Sequence, residues 1–144
     1  MTGPLTETVV RSLLAPSFVV AFAILVKGYS DVGDGFTAGV VAALGVLLQY
    51  TAFGRRAVAE ALPVRLAPAV ALGGLLLAAV VSFAPVLWDA PPLTHYPRPG
   101  EDVIHIGTLE LLTAVAFDAG VFLLVLGISV GIVDALAHAA ERTR

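Results

Sequence analysis

Three carboxylates lie within a long apolar stretch, residues 107–136, and the two nearer its start and middle are the residues in this chain best suited to chemistry. Glu110 lies near the start of the stretch and Asp118 near its middle. An ionised carboxylate at the centre of a membrane-spanning helix costs at least about 2.5 kcal/mol, so such residues usually line an ion or proton path. The alternative is a structural role, in which a protonated carboxyl group hydrogen-bonds to a neighbouring helix.

The spacing of polar and small residues predicts two different faces on this fourth helix. If the helix starts at residue 107, Asp118 lies about 16 Å along it, near the bilayer midplane, and about 12 Å beyond Glu110. Gly120, Gly127 and Gly131 fall on a face roughly 160° from Asp118. We therefore expect a smooth face for close helix packing and an acidic face towards a partner or water.

Other kinds of chemistry find little support in the sequence. The chain has no cysteine, and His95, His105 and His138 are too widely spaced to indicate a metal site. We find no phosphate-binding loop, no zinc-protease motif and no base beside a serine nucleophile. No basic cluster indicates nucleic-acid binding. These observations predict neither an enzyme nor a cofactor.

Composition places the chain in a membrane. Of its 144 residues 58% are hydrophobic and 13% charged, whereas a soluble domain carries about 25% charged residues. The mean hydropathy is +0.95. Apolar runs predict an all-α integral membrane protein, a single domain of four transmembrane helices. The predicted spans cover about residues 5–26, 36–53, 66–88 and 107–136.

The distribution of basic residues predicts that both termini are cytoplasmic. Four spans place the termini on one side, and that side would hold six basic residues against two on the other. The six are Arg11, Arg55, Arg56, Arg65, Arg142 and Arg144, and the two are Lys27 and Arg98.

A glycine-rich turn precedes the second span and contains Asp31 and Asp34. Under this topology both acids face outward and could concentrate cations at an entrance, although acids in a loop can equally serve only to solvate it. Gly35 and Gly39, four residues apart, predict a close-packing face on the second helix.

Two stretches together resemble a known family, the B subunit (MnhB or MrpB) of Mrp-type multisubunit sodium/proton antiporters. Residues 28–50, GYSDVGDGFTAGVVAALGVLLQY, resemble its glycine-rich turn and second helix. Residues 108–136 resemble its last helix, with a Phe-Asp-x-Gly-Val signature at Phe117, Asp118, Gly120 and Val121. The turn departs from the family pattern, since Tyr29 and Val32 replace a histidine and a proline.

The resemblance implies a small subunit in the cell membrane of a prokaryote, with sodium ions and protons as the transported species. The implied partners are large antiporter subunits that resemble those of respiratory complex I, together with other small membrane subunits and the lipid bilayer. In this interpretation Asp118 and Glu110 help form the ion path. The alternative is a scaffold subunit of a related redox-driven complex, either hydrogenase-like or complex I-like.

Overall fold

A computed structural model describes residues 3–27, 34–60, 62–96, 105–106, 109–110 and 113–142. These residues form four helices that are long and apolar enough to cross a membrane, which confirms an all-α membrane protein with four spans. The elements are α1 (Pro4–Lys27), α2 (Gly35–Phe53), α3 (Arg55–Val58), α4 (Leu62–Arg65), α5 (Ala67–Phe83), a 3-10 helix (Ala84–Trp88), β1 (His105–Ile106), β2 (Leu109–Glu110) and α6 (Thr113–Arg142).

Prolines and glycines mark several of the helix boundaries. Pro68 lies in the first turn of α5, where its missing N–H would be unpaired in any case. Pro85 lies where α5 gives way to the 3-10 helix, because proline cannot donate the hydrogen bond that continues an α-helix. Gly54 ends α2 with a φ of 74°, a conformation that glycine adopts without steric cost.

The four long helices pack side by side in the order α1, α2, α6, α5. The Gln49 side chain on α2 donates to the Val10 carbonyl of α1, so these two helices run antiparallel. We call the end with Pro4, Phe53, Ala67 and Arg142 the terminal side, and the end with Lys27, Gly35, Trp88 and Thr113 the far side.

The main hydrophobic cluster lies towards the terminal side, where α2, α4 and α6 meet. Its buried members are Val46, Tyr50, Val58, Val64, Ala67 and Val130. The two flanking helices leave large apolar side chains exposed, among them Phe22 on α1 and Leu76 on α5. In a bilayer these side chains face lipid or another subunit.

The start of the fourth span requires a correction. Residues 109–110 form β2, which pairs with β1 in an antiparallel hairpin, His105 opposite Glu110. The helix α6 therefore begins at Thr113 rather than at residue 107, and it runs on to Arg142. Glu110 consequently belongs to the hairpin and not to the membrane helix, because its backbone is committed to strand pairing.

Candidate functional site

Asp118 lies in the second turn of α6, five residues after Thr113. This separation corresponds to about 7.5 Å along the helix, so Asp118 lies nearer the far side than the predicted midplane position. It is the one charged residue classed as buried among those that the structure describes, with 5% of its surface exposed. It therefore does not lie on an outward acidic face, because other parts of this same chain cover it.

The start of α2 packs directly against Asp118. A Cβ atom added to Gly35 would overlap the Asp118 backbone carbonyl, so only glycine permits this approach. Asp34 precedes the helix without a capping hydrogen bond from its side chain. The first N–H groups of a helix lack partners within the helix and give its N-terminus a partial positive charge. The buried carboxylate residue and a helix N-terminus thus share one interface.

One turn further along α2, Gly39 continues this close contact. A Cβ atom there would lie 2.8 Å from the Val125 Cβ atom and 2.9 Å from the Phe122 carbonyl oxygen. The contacts of Gly35 and Gly39 advance in the same direction along α6, so α2 and α6 run parallel. Small residues on α2 therefore fix how near α6 can lie and hold Asp118 in this interface.

A different face of α6 meets α5. A Cβ atom on Gly120 would lie 2.8 Å from the Ala78 backbone nitrogen, and one on Gly127 would lie 2.6 Å from the Ala67 carbonyl oxygen. Gly74 on α5 is equally tight, with the Gly120 carbonyl oxygen 2.6 Å from its added Cβ atom. The glycines Gly120 and Gly127 of α6 thus contact α5, whereas the Asp118 backbone contacts α2.

Gly131 differs from the other predicted packing glycines. Nothing lies within 4 Å of a Cβ atom placed on it. The reason is the length of α5, which begins at Ala67, opposite Gly127. One turn further along α6 there is no α5 left to contact. Gly131 therefore packs against no other helix among the residues that the structure describes, and its predicted helix contact stays a prediction.

The far side holds one of the two acids predicted to form a cation entrance. Asp34 lies 3.8 Å from the Lys27 ammonium nitrogen, and its side chain is 27% exposed. Asp31 lies outside the described residues. The structure places Asp34 directly before Gly35, which contacts Asp118. Asp34, which is half-buried, and the buried Asp118 therefore lie at the same end of the helix layer.

A loop segment is tied to the start of α6, one turn before Asp118. The Tyr96 backbone N–H donates to the Thr113 hydroxyl oxygen over 2.8 Å, and the Thr113 backbone N–H donates to the Tyr96 carbonyl over 3.1 Å. The neighbouring His95 ring lies 6.2 Å from the Phe117 ring, centroid to centroid. These contacts fix where α6 begins and hold an imidazole close to the Asp118 turn.

A second polar cluster, on the terminal side, was not predicted from the sequence. The Tyr50 hydroxyl donates to the Asp134 carboxylate over 2.9 Å. The Arg55 Nε atom donates to the same carboxylate oxygen over 3.1 Å, and another Arg55 nitrogen lies 3.5 Å from the Glu141 carboxylate. Arg56 approaches Glu141 at 3.9 Å. We call these five residues the terminal-side cluster, and they tie α6 to the end of α2.

A weak signal for this cluster is present in the sequence. Asp134 and Glu141 are seven residues apart, or two helical turns, and so share one face of α6. The arginines follow Gly54, on the side where α6 also ends. The sequence indicated the shared side of the membrane, but it could not indicate which acid meets which base.

The site offers one buried acid, Asp118, in the interface between two membrane-spanning helices. Across the ranges described, no three histidine, aspartate or glutamate side chains lie together as a metal site would require. Among the described residues, the arrangement is that of a multi-pass membrane protein in which the buried acid lies on α6, and α6 packs against α2 and α5 through glycines.

Comparison with known proteins places the chain in a family. A family described as a domain related to the MnhB subunit of Na⁺/H⁺ antiporter matches residues 5–131. The B subunit of the Na⁺/H⁺ antiporter of Alkalihalophilus pseudofirmus is 35% identical over 134 residues, which cover 93% of this chain and 89% of that protein. The chain belongs to the MnhB family of antiporter subunits.

Two further relatives extend the comparison. The B subunit of the Na⁺/H⁺ antiporter of Bacillus subtilis is 33% identical over 85% of this chain and 86% of that protein. A probable K⁺/H⁺ antiporter A/B subunit of Rhizobium meliloti is 32% identical over 93% of this chain but only 13% of that much longer protein. The family thus includes relatives named for either cation.

Proposed function

We propose that this chain is a small subunit of a multisubunit cation/proton antiporter in the prokaryotic cell membrane, and that Asp118 forms part of its ion path or coupling machinery. Membership in the MnhB family supports the subunit role. The observation that carries the role of Asp118 is its burial, 5% exposed, inside a membrane-spanning helix. Ionisable residues within spans are rare and usually belong to ion or proton pathways.

The surroundings of Asp118 suit a group that exchanges a proton for a cation. A carboxylate holds either species through the same oxygens, and the start of α2, which packs against the Asp118 backbone, has a partial positive charge that favours a nearby negative charge. Asp34, whose side chain is 27% exposed, lies at the same far-side end, where a partly exposed acid raises the local cation concentration. Asp31, three residues earlier in the chain, is proposed to act with it.

The relatives' names include both Na⁺ and K⁺, and we propose Na⁺ as the cation.

The rest of the complex supplies what this chain lacks. A stand-alone secondary transporter is commonly built from internal repeats with interrupted helices at the bilayer midplane. The long helices described here are continuous, and their outer faces are apolar. We propose large complex I-like subunits and other small membrane subunits as the partners on those faces.

The decisive variant is Asp118→Asn, which keeps the shape of the side chain but cannot ionise. Asp118→Glu keeps the carboxylate and moves it by one methylene. Asp89→Asn is the matched control, since Asp89 is exposed and has a φ of 55°, a left-handed conformation that asparagine tolerates. Antiport is measured in everted membrane vesicles with a pH-sensitive dye after addition of Na⁺ or K⁺, and assembly by co-purification of the other subunits.

We expect the Asn variant to assemble and lose antiport, the Glu variant to retain part of it, and the control to match the parent complex. Normal antiport from an assembled Asp118→Asn complex would reject the proposed role. A second candidate function is a purely structural one, and the close contact between Gly35 and the Asp118 backbone favours it. That function predicts that the Asn variant loses its partners rather than its activity alone.

A further inference from the structure

A cavity of about 230 Å³ lies on the terminal side, between α1, the end of α2 and the short helices α3 and α4. Its apolar wall includes Leu14, Val46, Phe53, Val58 and Val64. The volume is far larger than a single water molecule needs, but a buried water requires two to four polar partners. An apolar cavity of this size is better filled by hydrocarbon than by water.

Two polar side chains also line the cavity, Arg11 and Gln49. The Arg11 guanidinium carbon lies 5.3 Å from the centre of the Phe53 ring, a cation–π distance. A guanidinium group carries five N–H donors. In the part of the chain that the structure describes, no carboxylate pairs with Arg11. The cation is therefore available to an anion at the cavity.

Gln49 is 8% exposed, and its side-chain nitrogen donates to the Val10 carbonyl over 2.7 Å. This bond fixes the orientation of the amide, whose side-chain oxygen is a hydrogen-bond acceptor. The cavity thus combines an apolar wall with one cation and one neutral acceptor.

We propose that this cavity binds an anionic glycerophospholipid, with the acyl chain against the apolar wall and the phosphate on Arg11. Arg11 lies eight residues into α1, about 10 Å from its first residue, where arginine side chains extend to the membrane interface. The apolar outer face of α1 gives lipid direct access.

The test uses the assembled complex in its own membrane vesicles and two photoreactive probes. One is phosphatidylglycerol with a diazirine in its acyl chain, and the other is phosphatidylcholine with the same chain. After illumination, cross-linked peptides are identified by mass spectrometry. We expect the cavity segments around Leu14 and Val46 to be labelled about fivefold more by phosphatidylglycerol, and the lipid-facing surface around Phe22 to be labelled equally by both.

Four variants define the site. Arg11→Gln should reduce phosphatidylglycerol labelling of the cavity to the phosphatidylcholine level, whereas Arg11→Lys should restore most of the preference. Ala57→Phe should abolish cavity labelling by either lipid, because Ala57 lines the cavity. Arg65→Gln removes the same charge from an exposed position on the same side and should change nothing.

Equal labelling by the two lipids in the parent complex would overturn the proposal, as would equal effects of Arg11→Gln and Arg65→Gln. Labelling around Phe22 with none in the cavity would mean that another subunit fills the space, which also overturns it. Antiport by these variants is a separate measurement, so this result does not depend on the role proposed for Asp118.

Discussion

The sharpest prediction concerns Gly127, where α6 meets the start of α5. A Cβ atom there would overlap the Ala71 backbone nitrogen and lie 2.6 Å from the Ala67 carbonyl oxygen and 2.8 Å from the Ala71 Cα atom. All three neighbours are backbone atoms and cannot rotate away. Ordinary contact begins at 3.4 Å, so the helices must separate by close to 1 Å or bend. Overpacking of this kind costs about 1–3 kcal/mol.

Gly131→Ala is the matched control for Gly127→Ala. Both replace a glycine in the same helix, so the gain in helix propensity, up to about 1 kcal/mol, cancels in the comparison. Nothing lies within 4 Å of the added methyl group at Gly131. The difference between the two variants therefore measures the cost of the close contact with α5.

The assay is the apparent melting temperature of the detergent-solubilised complex, followed by size-exclusion chromatography with a fluorescent tag on this chain. We expect Gly127→Ala to melt several degrees, about 3–10 °C, below Gly131→Ala. Gly74→Ala and Gly73→Ala form a second pair on α5, the first in tight contact with α6 and the second open. Equal melting temperatures within both pairs would refute the argument that glycine sets the spacing of α5 and α6.

Three further predictions concern the two ends of the helices. Tyr50→Phe removes the hydroxyl bonded to Asp134 and should lower the stability of the complex by about 1 kcal/mol. The measurement is the melting temperature, and the control is Thr51→Ala, whose hydroxyl bonds within its own helix. Equal shifts of the melting temperature in the two variants would contradict a stabilising role for the terminal-side cluster. The double variant Asp34→Asn, Asp31→Asn should leave assembly intact, because a surface ion pair such as Lys27–Asp34 contributes at most about 1 kcal/mol. It should raise the cation concentration for half-maximal antiport, mainly at low ionic strength. An unchanged cation concentration at low salt would exclude cation steering by these acids. A reporter that is active only in the cytoplasm should be active when fused to the C-terminus, and silence of a well-expressed fusion would refute the proposed topology.

The amino-acid sequence alone determined that this is a membrane protein with four spans and that its last span contains an acidic residue. Four apolar runs separated by polar turns are long enough to cross a bilayer, and in hydrocarbon a helix satisfies its own backbone hydrogen bonds. These local requirements do not depend on which helices pack together. The same holds for Pro85, which lacks the N–H that a continuing α-helix needs and lies where α5 changes to a 3-10 helix. Asp118 is visible as an acid in an apolar run for equally local reasons.

The start of α6 was decided by tertiary structure. Apolar periodicity continues from residue 107 into the helix, so the sequence predicted one uninterrupted span with Glu110 inside it. In the structure, residues 109–110 pair with 105–106, and Thr113 is bonded to Tyr96, 17 residues earlier. The local hairpin pairing and the bonds between Thr113 and the distant Tyr96 both use N–H and C=O groups that helix formation would otherwise need. Because α6 begins at Thr113, Asp118 lies nearer the far side of the membrane than the sequence predicted.

The tertiary structure also decided which small residues and which polar residues contact each other. Gly127 and Gly131 are equivalent in the sequence pattern, but only Gly127 lies opposite α5, because α5 begins at Ala67. Tyr50 and Asp134 are 84 residues apart, and no local preference brings them together. Periodicity determines which face of a helix a residue occupies, whereas the order α1, α2, α6, α5 determines what that face contacts. That order enclosed Asp118 within its own chain.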